Sequence, residues 1–479
     1  MDEQELIGRF TETQALKNAL RTNKSEMIAV IGRRRVGKTF LIRQVYHSKI
    51  DFEMTGIQNR PKSEQLQNFA SKLAEFTGAQ RAFQAPASWQ EAFHDLKVYL
   101  ESKKTRRKRV VFFDELPWLA TPKSGFLAAL GHFWNDWASV NNIVFVICGS
   151  AASWMIRRVV NHKGSLHNRI TRRIDLAPFT LAEVEKYLKK RGGIYSRYEI
   201  TQLYIMIGGI PHYLDHVDTS QSIAQNCDRL FFAPDGILRH EFENLYASLY
   251  DKPKAHIAVI TALASKWKGM TRDELVRKSK LSDGGGMTRV LQELEAGSFI
   301  SQVSSFGNIK KNRFYRLSDP FTLFYLKFVA KSASSHKPVF FSIVNTSKWR
   351  SWAGYAFENL CFDHSKQIET ALGVYAIYTE ISSFQIIGND VQQGTQIDLL
   401  IDRADGVINL CEIKFHDSEF VISKKYAKAL REKRTIFRQS TRTRKTVFVT
   451  MITPYGIKPN QHSGSVVQNE VTIDHLFKP

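Results

Sequence analysis

The chain is short of cysteine, of long apolar runs and of acid. Its four cysteines (Cys148, Cys227, Cys361 and Cys411) stand far apart. No CxxC or Cys/His spacing builds a zinc site or a disulfide framework, so buried, reduced thiols are expected. No stretch approaches the roughly 20 apolar residues that span a bilayer, and no membrane partner is expected. The opening residues Met1-Asp2-Glu3-Gln4-Glu5 are acidic and lack the apolar segment of a secretory signal, which predicts a cytoplasmic protein. Asp and Glu number 46 against 68 Lys and Arg, a net charge of +22. A surplus of that sign favours a polyanion, either nucleic acid or a membrane surface, and charge alone does not say which or exclude a merely solvated basic face; DNA is the macromolecular partner expected. What is present is core material: 43% of the 479 residues are hydrophobic and 12% aromatic, enough for about three domains.

The most specific stretch is Gly32-Arg33-Arg34-Arg35-Val36-Gly37-Lys38-Thr39. It follows the apolar run Met27–Ile31 and precedes the helical pattern Phe40–Tyr46, the strand–turn–helix context of a phosphate-binding loop. Gly32 and Gly37 let backbone N–H groups converge on phosphate oxygens. Lys38 is expected to reach the β- and γ-phosphates, and Thr39 to offer its hydroxyl to Mg²⁺. The helix dipole adds attraction for the anion.

About 75 residues further on, Val110-Val111-Phe112-Phe113-Asp114-Glu115 reads as a buried parallel strand ending in two acids. It places Asp114 at the carboxyl edge of a sheet, beside the phosphate loop, to hold the Mg²⁺ shell. Glu115 is then placed to polarise the attacking water. A further strand, Asn142–Cys148, ends at Gly149-Ser150; Ser150 either senses the γ-phosphate or caps the next helix. Arg169, ahead of Ile174-Asp175-Leu176, is the candidate arginine finger, with surface solvation as the alternative. Gly208-Gly209-Ile210-Pro211 breaks a helical pattern and is expected to cap the nucleotide pocket. Just before the Asp114 strand, Lys103–Arg109 is a dense basic run.

Residues 1–245 resemble the archaeal-type ATPase family of P-loop proteins, within the AAA+/STAND grouping. The matching elements are Ile7-Gly8-Arg9, the phosphate loop, Phe113-Asp114-Glu115, Cys148-Gly149-Ser150 and Gly208-Gly209-Ile210-Pro211. The resemblance implies a P-loop NTPase parallel sheet with a helical lid, and admits a homo-oligomer. ATP with Mg²⁺ would be held by Gly8, Arg9, Gly32, Arg35, Val36, Gly37, Lys38, Thr39, Phe40, Asp114, Ser150 and Pro211. The family carries Gly-Arg where this chain has Asn168-Arg169.

From 254 to 320 the pattern changes to three helices and a basic hairpin around Gly307-Asn308-Ile309-Lys310-Lys311, which resembles a winged helix. Its third helix carries Thr288 and Arg289, and its wing Lys310 and Lys311. The segment serves either as a structural lid or in DNA contact.

Residues 345–479 carry a second chemical pattern. Asp398 lies in an apolar run, Glu412 and Lys414 in another, and Ala404-Asp405-Gly406 between them signals a turn. A hairpin centred on Asp405 sets Asp398 opposite Glu412, with Lys414 on the same face. Carboxylates about 5 Å apart at Cβ repel unless a cation intervenes. A divalent metal held by Asp398 and Glu412 supplies one, with Lys414 orienting or deprotonating the attacking water; the alternative is a solvated, salt-bridged face, which the apolar residues flanking both strands argue against. The region is similar to the DUF234 domain and its PD-(D/E)xK nuclease fold, whose leading Pro-Asp is Ile397-Asp398 here. Glu358, on the helical pattern 353–362, matches the acid that fold supplies from its first helix. The implied function is an ATP-dependent DNA-processing protein with a metal-dependent nuclease-like domain gated by nucleotide state. The alternative is an ATP-dependent DNA-binding switch whose nuclease-like domain does not cut. A basic belt from Lys424 to Lys445 follows the site and suits a phosphate backbone.

Overall fold

The computed structural model describes residues 6–161, 164–250, 252–307, 313–386 and 394–478. Lys310 and Lys311, expected on a wing, and the opening residues Met1–Glu5 lie outside that set. The chain divides into two compact units, Met1–Pro178 and Phe179–Pro479. Among the described residues no helix is long and apolar enough to cross a membrane. All four cysteines are free and buried.

In the first unit five parallel strands form one sheet: β1 (Glu26–Ile31), β2 (Ile50–Thr55), β3 (Arg109–Asp114), β4 (Ile143–Gly149) and β5 (Arg172–Asp175), in the order β2-β3-β4-β1-β5. Every residue of β1 and β4 is buried, which is why these strands read as continuous apolar runs rather than alternating ones. The helix Phe10–Ala19 precedes them, and Lys38–Tyr46, Lys62–Thr77 and Trp89–Ser102 lie between them in sequence. Phe52, Phe69, Trp89, Phe93, Phe113 and Phe126 interlock at ring separations of 4.7–6.3 Å over one face of the sheet, adding directional contacts to the area they bury.

The second unit opens with short helices. The helix Arg197–Ile207 stops at Gly208, whose φ of 68° is left-handed. Gly209 lies so close to Phe179 that an added Cβ would sit 1.9 Å from its carbonyl oxygen. Pro211 then opens the helix Pro211–Asp215, where its missing N–H leaves no bond unmade.

Three helices follow, Lys254–Ala264, Arg272–Ser279 and Gly285–Ala296, with the antiparallel pair β6 (Ile300–Ser304) and β7 (Arg313–Leu317). Thr271 and Glu274 close a capping box on the second helix. A second five-stranded sheet contains β8 (Thr379–Ile386), β9 (Thr395–Arg403), β10 (Val407–Ile413), β11 (Thr446–Thr453) and β12 (Asn469–Thr472), ordered β12-β11-β10-β9-β8. β9 runs antiparallel to both β8 and β10, and β10, β11 and β12 are parallel. The helix Lys424–Thr441 supplies Phe437 to a cluster with Phe384, Ile397, Leu400 and Leu410.

The hairpin and this sheet are not separate bodies, although the sequence suggested a break between 320 and 345. Phe306 donates its N–H to the Ser383 carbonyl at 2.9 Å, and its ring meets Phe437 at 5.1 Å. Asn359 bonds the Leu317 carbonyl at 3.2 Å, and the Arg316 guanidinium lies 4.1 Å from the Phe362 ring.

Candidate functional site

The phosphate loop sits at the carboxyl end of β1. Gly32 is required there: a Cβ would lie 2.4 Å from the Leu176 carbonyl oxygen. Arg35 (φ 72°) and Gly37 (φ 90°) turn the loop into the Lys38–Tyr46 helix. The buried Lys38 donates to the Gly32 carbonyl at 2.9 Å and the Arg33 carbonyl at 3.0 Å. Val36 is buried, and its carbonyl accepts from Arg9 at 3.4 Å; Gly8 and Arg9, both at positive φ, form the turn that brings Arg9 there. Phe40, 41% exposed, stands on the helix surface.

β4 lies between β3 and β1, so the ends of all three strands converge. Thr39 donates its hydroxyl to Asp114 Oδ2 at 2.6 Å, across 75 residues of sequence. Asp114 Oδ1 accepts the Glu115 N–H at 2.8 Å and the Cys148 thiol. Burial, then the Asp114 charge, push the Cys148 thiol far up, so it stays protonated. Ser150 holds Glu115: its N–H and hydroxyl donate to Glu115 Oε2 at 3.1 and 2.9 Å. The Thr39 hydroxyl beside an Asp114 carboxylate is a hard-oxygen pair of the kind Mg²⁺ takes. Arg169 lies exposed in a turn, with no contact to these residues.

The second constellation is in the C-terminal sheet. The β9–β10 ladder pairs Leu400 with Leu410 and Leu399 with Cys411, so its next step sets Asp398 opposite Glu412. Lys414 Nζ lies 2.9 Å from Glu412 Oε1. The sequence reading missed two residues here. Tyr426 donates its hydroxyl to Glu412 Oε1 and Lys433 its ammonium to Oε2, both at 2.7 Å. They stand seven residues apart on the Lys424–Thr441 helix, two turns and therefore one face; that spacing was the available signal. Gln396, also missed, donates to Asp398 at 3.0 Å.

Burial alone would raise Glu412, but Lys414 and Lys433 outweigh it and hold the carboxyl at about 2. Asp398 moves the other way, raised by burial and by the Glu412 charge. Glu358, on the helix Ser347–Asp363, is pushed up to about 8 by burial and the Asp398 charge. Asp398, Glu412, Lys414 and Glu358 thus share one electrostatic neighbourhood. Among the described residues, however, no three acids, histidines or cysteines are placed to hold a metal, and both Glu412 oxygens are already bonded to cations. The donor set as folded does not fit a divalent ion as the sequence suggested, because Lys414 and Lys433 supply the positive charge. The basic belt is likewise partly spent: Lys433 on Glu412, Lys445 on Asp402 at 2.6 Å, Arg431 on Ser465 at 2.7 Å.

Residues 6–217 match the family profile of an ATPase domain found predominantly in Archaea. The chain is similar in structure to the Walker-type ATPase of Pyrococcus abyssi, with a TM-score of 0.50 at 18% identity, covering 67% of this chain and 96% of that one. These likenesses support the ATPase family. The P-loop ATPase fold, and with it ATP binding or hydrolysis, is supported for this chain. An uncharacterized protein of Methanocaldococcus jannaschii is 22% identical over 416 residues, 86% of this chain and 88% of its own.

Proposed function

We propose that this P-loop ATPase is a DNA-processing protein in which nucleotide state governs a nuclease-like C-terminal module. The observation that carries it is the convergence of Asp398, Glu412, Lys414 and Glu358 in a chain that also aligns Thr39, Asp114 and Glu115 at one sheet edge. Mg²⁺ would be held by Thr39 and Asp114 and would shield phosphate charge. Lys38 binds the phosphates, Glu115 orients water, and Ser150 holds Glu115 in place. Pro211 caps the nucleotide and Arg169 supplies transition-state charge in this reading.

The domain division proposed is 1–245 for the ATPase with its lid, 254–320 for a winged helix and 345–479 for the PD-(D/E)xK-like (DUF234-like) domain. The last two are packed together through Phe306. In a cleaving module Lys414 orients the attacking water, and the two raised acids, Asp398 and Glu358, take part in proton transfer. A non-cleaving module that only holds DNA is favoured by one observation, the saturation of Glu412 by Lys414, Lys433 and Tyr426.

Supercoiled plasmid incubated with Mg²⁺ or Mn²⁺, with and without ATP, separates the two. Nicking by the wild type that Lys414→Ala abolishes and Glu115→Gln alters supports cleavage under nucleotide control. Intact plasmid throughout, with DNA still retarded in a gel, supports the holding module.

A further inference from the structure

Neither site uses the basic run Lys103–Arg109. The structure folds part of it into the wall of an open cavity of about 530 Å³ in the first unit, shared with residues 20–23, Lys49 and Asn142. Each of these segments comes just before a strand: 20–23 before β1, Lys49 before β2, 106–108 before β3 and Asn142 before β4. The cavity therefore opens at the amino edge of the sheet, whereas the phosphate loop, Asp114 and Ser150 lie at its carboxyl edge. Six-residue strands rising about 3.3 Å per residue separate the two edges by about 20 Å.

Two of the cations are committed to the fold. The Lys108 ammonium is buried and donates to the Ala19 and Lys24 carbonyls and to Thr22. Arg107 grips the buried Asp51 through bonds of 2.8 and 3.0 Å and also bonds the Lys49 carbonyl. These contacts fix the floor and pin the neighbouring segments. The remaining three, Arg21, Lys49 and Arg106, are exposed, and no acidic side chain is among the residues lining the cavity. Asn23 and Asn142 add amide groups that both donate and accept.

We propose that this cavity binds the phosphates of a single-stranded nucleic acid. The reading rests on neither of the two sites described above. Three cations with no ion-pair partner among the described residues, around one concavity, match a polymer carrying one charge on every unit. The neutral amides suit sugar and base edges, which a run of carboxylates lacks. An unpaired strand bends its backbone into a concavity of this size, whereas a duplex is wider and stiff.

The test uses the full chain and a fluorescein-labelled oligothymidylate, followed by anisotropy in NaCl from 50 to 200 mM with saturating ATP present. The triple variant Arg21→Ala/Lys49→Ala/Arg106→Ala should weaken binding about tenfold and flatten the log–log salt slope by about 2, at about 0.7 per lost phosphate contact. Lys49→Ala alone, whose ammonium has no partner among the described residues, should flatten it by about 0.7, and Lys49→Arg should restore it. Basal ATP turnover should stay unchanged, which shows intact folding and separates this site from the nucleotide pocket. Unchanged affinity and slope in the triple variant would place the strand elsewhere and overturn the proposal. So would displacement of the oligonucleotide by polyglutamate of equal charge, or by phosphatidylserine vesicles, at equal charge concentration.

Discussion

The two chemical regions treat lysine in opposite ways. Lys38, in the phosphate loop, donates to two neutral carbonyls, those of Gly32 and Arg33. Lys414 and Lys433, in the C-terminal sheet, both bond one carboxylate, Glu412. Carbonyl partners position an ammonium without cancelling its charge, so Lys38 still presents a full positive charge to an arriving anion. The carboxylate cancels one of the two C-terminal charges and holds both lysines in place. The first region is built around a charge supplied from outside; the second balances much of its charge from within.

Variants that remove one side of each arrangement test this contrast. The largest effect is expected at the nucleotide edge. Lys38→Ala should abolish ATP binding in titration calorimetry. Glu115→Gln should keep ATP bound while slowing turnover about 100- to 10,000-fold, the range for losing a positioned general base. ATP bound with unchanged affinity by Lys38→Ala would break the comparison at its first term.

Next in size is Glu412→Gln, which leaves Lys414 and Lys433 facing each other with little counter-charge. Loss of one partner from a buried pair costs about 3–5 kcal/mol. The lysine side chains are 36% and 27% exposed, so about 2–3 kcal/mol is expected in denaturant titration. Because Glu412 titrates at about 2 in the folded chain, below the ordinary 4.5, its contribution is present above pH 4.5. It fades as pH falls toward 2, and the variant and wild type should converge there. No convergence in acid would mean that the ion pairs are not what the variant lost.

Glu358 gives the opposite sign and a smaller effect. Raised to about 8, it favours the folded chain below pH 4.5 and loses that contribution as pH climbs through 8. Glu358→Gln, which mimics the protonated acid, should therefore gain steadily on the wild type as pH rises from 5 to 9. Parallel melting curves across that range would show that Glu358 does not feel Asp398. Smallest is Ser150→Ala, which removes the hydroxyl's bond to Glu115 Oε2 and keeps the backbone N–H one. Turnover should fall about tenfold, equivalent to one hydrogen bond to a charged group, with ATP affinity unchanged. A matching loss of affinity would instead tie Ser150 to the nucleotide.

What was legible followed from how local each signal is. The phosphate loop and Asp114-Glu115 are contiguous motifs set at strand ends, and the apolar runs before them declare a buried parallel sheet. The pairing of Asp398 with Glu412 was readable because a short turn at Asp405 fixes the register of its two arms. The seven-residue spacing sets Tyr426 and Lys433 on one helix face but does not say what that face meets, because the helix docks through long-range packing of Phe437 and Leu430. The cation beside the carboxylates was hidden for the same reason: two close carboxylates demand one, but their sequence does not say which. Charge alone also overstated the basic belt, since opposite charges far along the chain neutralise part of it.

The β8–β9 ladder slips between Ser382 and Phe384, and the Ser383 carbonyl, left at the slip, receives the Phe306 N–H. Force applied to the hairpin is therefore passed to β8 and on to the strand that bears Asp398, through backbone bonds and with no slack tether between. A protease or a cloning boundary placed between 320 and 345 would strip Phe306 from the Phe437 ring and leave that carbonyl bare. The smallest piece able to stand as an independent carrier of the carboxylates begins before the hairpin, not after it.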